Sequence, residues 1–135
     1  MKQHMAFEVI NPLAVHVTNG YSHAVRMGDL ISVAGQVALR PDGTLVGKDD
    51  ARAQTEQVFA NLQAVLEAAG SGLDRVGKIT VFVTRLDYRQ IVAEVRNRIF
   101  APYGFVPANT LAVVSSLAHP DFWVEIEAIA AAGDR

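Results

Sequence analysis

The sequence predicts an α+β fold in the order β-β-β-α-β-α-β-β, a mixed sheet with two helices on one face. Three observations carry this. Short β-branched runs are bounded by Gly, Pro and Asp, which is strand and turn chemistry. Two longer segments repeat apolar residues at helical spacing, each on one side only, so both need a sheet to lie on. The last strand alternates between an apolar set and a set containing two carboxylates.

The elements follow in order. Residues 7–10, "FEVI", predict a short first strand. "HAVRMG" (23–28) and "LISVAGQVAL" (30–39) flank Gly28-Asp29, and a glycine there suits a hairpin turn. "RPDGTLVG" (40–47) is a turn segment, with Pro41 fixing φ and Asp42-Gly43 reversing the chain. Asp49 and Asp50 open a helix, where acidic groups favour the positive end of the dipole. Thr55, Val58, Phe59, Leu62, Val65, Leu66 and Ala69 form its apolar stripe, and Gly70 and Gly72 end it. "VGKITVFVT" (76–84) is short and β-branched, so it predicts a central strand. Asp87 with Gln90 reads as a capping box for the second helix. Ile91, Val92, Val95 and Ile99 are that helix's buried stripe, Glu94 and Arg98 an i,i+4 pair, and Pro102 its end. "VPANTLAVVSSLAHPDFWVEIEAIAAA" (106–132) supplies two more strands joined by a turn.

On the last strand Phe122, Val124, Ile126 and Ala128 point one way, and Trp123, Glu125, Glu127 and Ile129 the other. The first set suits a core beneath the helices. The second is too apolar to stay wet and too charged for a dry core. Burial against another subunit, with a polar cavity at the seam, reconciles the two.

Bulk properties narrow the function. The 135 residues, half of them apolar, predict one globular domain over 1–135. A net charge of -2 gives no electrostatic footprint for nucleic acid or an anionic membrane surface. No apolar run approaches the ~18 residues of a membrane span, and the first ten residues lack a secretory apolar region. A cytoplasmic protein is the expectation. The absence of cysteine excludes disulfides and thiolate chemistry. His4, His16, His23 and His119 have no metal-ligand spacing, so surface or structural roles are expected for them and no cofactor is expected. Ser115 and Ser116 lack a nucleophile-elbow context.

The chain resembles the Rid (reactive intermediate deaminase, YjgF) family. The resemblance runs from about Tyr21 to Ala130 and rests on "YSHAV" (21–25), "ISVAGQ" (31–36), "LEAAG" (66–70), "KITVFVT" (78–84), "PANT" (107–110) and "VEIEAIA" (124–130), in that order. It implies a chorismate-mutase-like fold and a homotrimer whose sheets form a central barrel, with ligand clefts between subunits. It implies hydrolysis of enamines and imines, such as 2-aminoacrylate, to a 2-keto acid and ammonia. Glu125 matches the family's glutamate beside the attacking water. Tyr21 matches a tyrosine lining the cleft. Gly35 matches the point where backbone approaches ligand. Gln36 beside it is either a polar wall or a strand-end residue. Thr110 is a candidate donor to a ligand oxygen. A family cysteine position holds Leu111 here.

One residue departs from the pattern. Asn109 stands where the family's arginine forks onto the substrate carboxylate. Arginine offers five donors and a fixed charge; asparagine offers two donors, an acceptor and no charge. Losing a bidentate charge-assisted pair weakens carboxylate binding by about a hundredfold. The departure implies a neutral or amide-like small-molecule ligand. Arg26 and Arg40 are candidate replacement cations, and nothing in the sequence sets either near Asn109. Glu127 has two readings, a coupled partner of Glu125 or a structural partner of Lys78 or an Arg. Three functions follow: a hydrolase of C=N bonds, a non-catalytic trimeric metabolite binder, and RNA cleavage. The last rests only on Arg85, Arg89, Arg96 and Arg98 near the second helix.

Overall fold

The computed structural model describes residues 7–133. Strands β1 (Phe7–Ile10), β2 (Ala24–Met27) and β3 (Leu30–Gln36) come first, then helix α1 (Ala51–Ala68) and β4 (Val76–Val83). Helix α2 (Arg89–Phe100), β5 (Ala108–Val113) and β6 (Val124–Ala131) follow. The strands form one sheet in the order β1-β2-β3-β6-β4-β5. All pairs are antiparallel except β4 with β5, so the sheet is mixed. The element order agrees with the sequence.

Local chemistry sets the boundaries. Gly28 adopts φ 60° at the first position of the β2–β3 turn, the conformation a two-residue hairpin asks of glycine. Asp50 caps α1, its Oδ1 accepting from Ala53 N at 3.0 Å. Gly70, at φ 78°, ends that helix: its N–H reaches Glu67 O and Ser71 N–H reaches Leu66 O, the paired bonds of a Schellman motif. Pro102 lies in the short 3₁₀ turn that follows α2.

Two expectations about α2 fail. Asp87 does not cap it; a 3₁₀ turn (Leu86–Tyr88) intervenes and Asp87 pairs with Arg85 at 3.1 Å. Gln90 instead donates to Glu94. Glu94 and Arg98 do not pair with each other either. Each reaches across to α1, as Arg52–Glu94 at 2.6 Å and Arg98–Glu56 at 2.9 Å. The neighbouring helix offers opposite charges closer than the i,i+4 position does, and spacing along one helix is blind to that.

The core lies between the helices and one sheet face. Val33, Ile79, Val81, Ile126 and Ala128 meet Val58, Phe59, Leu62, Val65, Leu66, Val92 and Phe100 there. Phe59 and Phe100 join the helices edge to face, centroids 5.9 Å apart. β4 separates β5 from β6, because a parallel β5 on β4 lets α2 cover the sheet.

The other face is uncovered. Register puts Glu125, Phe82 and Ala112 in one row, and Glu127, Thr80 and Thr110 in the next. Phe7, Val9, Met27, Leu30 and Ile129 lie on this face, each about half exposed. Trp123 does not belong to it. It lies just before β6 and stacks on Tyr88, centroids 4.8 Å apart, at the edge of the core. Phe122 also lies outside the strand, so alternation does not apply to it, and it lines a cavity beside Glu125.

Candidate functional site

The strongest site begins with a defect in β3. Val33 pairs with Ala128 and Gln36 with Ile126, so three steps along β3 match two along β6. That extra residue is a β-bulge at Ala34-Gly35. Across from it Glu125 folds its side chain onto Gly35. A Cβ at Gly35 would lie 2.7 Å from Glu125 Cδ and 2.8 Å from Cγ. Only glycine leaves room for the carboxylate there. The glycine is therefore both a bulge residue and a seat for Glu125.

The Glu125 carboxyl is held above the usual carboxylate range, first by burial and second by the charge of Glu127. Both causes disfavour its ionised form. It opens into a cavity of about 250 Å³ with Tyr21, Gly35, His16, Val37 and Phe122 on its walls. Tyr21 is 54 % exposed, so its ring stands free at the rim. Three of the expected residues, Tyr21, Gly35 and Glu125, thus share one cavity.

The walls are held by buried polar groups that sequence reasoning passed over. On α1, Gln54 Nε2 donates to Gly47 O and Asp121 O, and its Oε1 accepts from Trp123 N. Asn61 Nδ2 donates to Val37 O and Leu39 O. These amides fix the segments after β3 and before β6. The available signal was two amides, Gln54 and Asn61, seven residues apart on an apolar stripe. Gln36 is fully buried and donates from Nε2 to His23 Nδ1 at 3.1 Å and to Ala34 O. His23 therefore carries its proton on Nε2, which donates to His16 O at 2.6 Å. So Gln36 does not line the cavity; it is the strand-end residue of the two readings, the last of β3, and its amide also holds the buried histidines. His16 and His23 are buried and structural, as expected of them, while His119 is exposed and His4 lies outside the described residues. Burial, then the neighbouring His23, keeps the His16 imidazole below its ordinary proton affinity.

Asn109 and Thr110 lie elsewhere. Thr110 is on the uncovered face, its Oγ1 accepting from Lys78 Nζ. Lys78 is thus engaged by Thr110, and no ion pair joins it to Glu127 among the described residues. Asn109 shares its register row with Ile79 and turns toward the helix side. It borders a second cavity, about 340 Å³, between α2 and β5. One chain does not join Asn109 to Glu125. Neither Arg26 nor Arg40 approaches Asn109: Arg26 Nε donates to Gly28 O, and Arg40 binds Thr44 and Leu45 O. Arg96 does. Its Nη1 donates to Asn109 Oδ1 at 3.1 Å. No helix among the described residues is long and apolar enough to cross a membrane.

Comparisons with known proteins agree with this architecture. A family model described as Endoribonuclease L-PSP matches residues 12–132. A RutC family protein of Pyrococcus abyssi is 37% identical over 110 residues, 82% of this chain and 84% of that one. The solved structure of RidA from an Antarctic Psychrobacter is 31% identical, with a TM-score of 0.82 over 92% of this chain and 98% of that one. Escherichia coli TdcF, solved with bound serine, is 27% identical, with a TM-score of 0.84 and the same two coverages. With a YjgF-like sheet and a family match over nearly its whole length, the chain belongs to the RidA/YjgF (RutC, L-PSP) family.

Proposed function

We propose that the chain hydrolyses C=N bonds of small imines, including those that form when an enamine takes a proton on carbon and loses one from nitrogen, working as a cytoplasmic homotrimer with clefts between copies. One observation carries this: a carboxyl with raised proton affinity, seated on a bulge glycine and facing a small cavity beside a tyrosine. Such a group can hold a water and take its proton as oxygen attacks the C=N carbon. It then returns a proton to the nitrogen of the carbinolamine. Collapse of that adduct forms the carbonyl and releases ammonia. Tyr21 supplies a ring wall and a hydroxyl at the rim.

The trimer explains the half-exposed Phe7, Val9, Met27, Leu30 and Ile129 on the uncovered face, which a second copy would remove from water. It also supplies a way for Asn109 and Thr110 of one copy to reach the Glu125 cavity of another. Asn109 replaces the arginine of active relatives, and alone it favours a neutral or amide-like ligand. A guanidinium lies against it, which alters that balance.

The test is ammonia release from imines generated in situ by an amino-acid oxidase. Turnover abolished by Glu125→Gln supports the hydrolase. No rate above background, for carboxylated and uncarboxylated imines alike, ends it. Asn109 favours a second function, a trimer that binds a metabolite without turnover. Ligand-dependent thermal stabilisation in the absence of any rate would select that function. RNA cleavage has less support, since Arg85 and Arg98 are neutralised by Asp87 and Glu56.

A further inference from the structure

We propose that Gln36 and His23 are positioning residues, which fasten the Tyr21 wall of the cavity to the bulge that seats Glu125. The cavity is made from two pieces of chain. One is the β3 bulge with Gly35, against which Glu125 lies. The other is the loop before β2, which supplies His16, Val17, Thr18, Asn19 and Tyr21. Residues 11–23 hold no helix or strand. Val15 anchors them in the core, but Val17 and Tyr21 beyond it are largely exposed, so core packing does not place them. Hydrogen bonds must set where Tyr21 stands relative to Glu125.

One buried chain of them does so. Gln36 is fully buried and follows Gly35 directly. Its Nε2 donates to Ala34 O inside the bulge and to His23 Nδ1, both at 3.1 Å. His23 is also buried, and its Nε2 donates to His16 O at 2.6 Å. The backbone repeats the fastening, with His23 N donating to Asn11 Oδ1 and Ala34 N to His23 O, both at 2.8 Å. Thr18 Oγ1 donates to Tyr21 O and carries the order on to the tyrosine. The two carbonyls fix the direction of the chain. A carbonyl only accepts, so Ala34 O requires the N–H₂ of Gln36, and His16 O requires the N–H of His23. His23 Nδ1 is then left to accept. The Nδ1–H tautomer would set N–H against N–H and leave a carbonyl without its donor, which buried groups rarely bear. Gln36 thus ties the seat of Glu125 to the loop of Tyr21, through a single tautomer of His23.

This deepens the proposed hydrolysis and rests on it for the kinetic readout alone. Gln36→Asn keeps a buried amide but is one methylene shorter, which breaks its reach to His23. It should lower kcat for ammonia release by about ten- to a hundredfold, the effect of a misplacement of about 1 Å. His23→Gln should keep most of the rate, because its amide offers the same donor and acceptor. His23→Leu offers neither and should lose as much as Gln36→Asn. In Gln36→Asn the His23 and Ala34 amides should gain in hydrogen exchange by about tenfold more than those of α1, the worth of one hydrogen bond. A loss of stability spread over the fold would raise both alike. Nitrogen NMR of the parent should find His23 protonated at Nε2 and not at Nδ1. Should Gln36→Asn fail to fold, His23→Gln against His23→Leu makes the same comparison. A parent without turnover ends the proposed hydrolysis, while exchange and tautomer still judge the fastening. The proposal is overturned if Gln36→Asn keeps the parent's rate and exchange, if His23→Gln loses as much as His23→Leu, or if the parent's His23 holds its proton on Nδ1.

Discussion

Gly35→Ala tests whether the site is built as described. The new Cβ would meet Glu125 Cδ at 2.7 Å and Cγ at 2.8 Å, against an ordinary van der Waals contact of 3.4–4 Å. The carboxylate must therefore move by roughly 1 Å, and a displacement of that size costs about a hundredfold in rate. The fold has a cheaper escape, because a side chain half open to a cavity can swing away. Overpacking of this kind costs about 1 kcal/mol here, at the low end of its usual range, a drop of about 4 °C in melting temperature. The assay is ammonia release from oxidase-generated imines, alongside a thermal melt. Activity should fall far more than stability. In the double variant with Glu125→Ala the Gly35 substitution should cost no further stability, because the side-chain atoms it meets are already gone. Full activity in Gly35→Ala would refute the seating of Glu125 on the bulge. A stability loss that adds to that of Glu125→Ala would show the glycine acting by another route.

Other outcomes follow from the same arrangement of side chains. Glu125 has a raised pKa in the folded state, so its contribution to stability is complete below the ordinary glutamate range and is lost as pH rises through the folded value. Glu125→Gln should thus melt progressively higher than the parent as pH is raised from the acid side toward neutrality, and a pH-independent difference would contradict this. Phe100→Ala empties a fully buried contact with Phe59 and should cost about 3–5 kcal/mol, read as a lower urea midpoint at unchanged slope. Ile129→Glu places a charge on the uncovered face, where Ile129 is 45 % exposed, and should yield a folded monomer by sedimentation. A trimer that survives this change, or a parent that is already monomeric, removes the proposed seam.

The amino-acid sequence alone determined the element order, the helix stripes, the hairpin at Gly28 and the two unlike faces of the last strand. Each depends on neighbours within a few residues, and local periodicity records them. It also pointed to Glu125, Tyr21 and Gly35. What it did not contain was the contact between Glu125 and Gly35, ninety residues apart and joined by a bulge in register. Nor did it contain the charge beside Asn109. Arg26 and Arg40 were candidate cations that nothing in the sequence set near Asn109, and Arg96 is the one that lies against it, because packing α2 across β5 brings its guanidinium onto the edge strand. The exchange of an expected Glu94–Arg98 pair for two interhelical ones has the same cause. Long side chains choose partners by distance in space, and only the folded arrangement of helices on the sheet sets those distances.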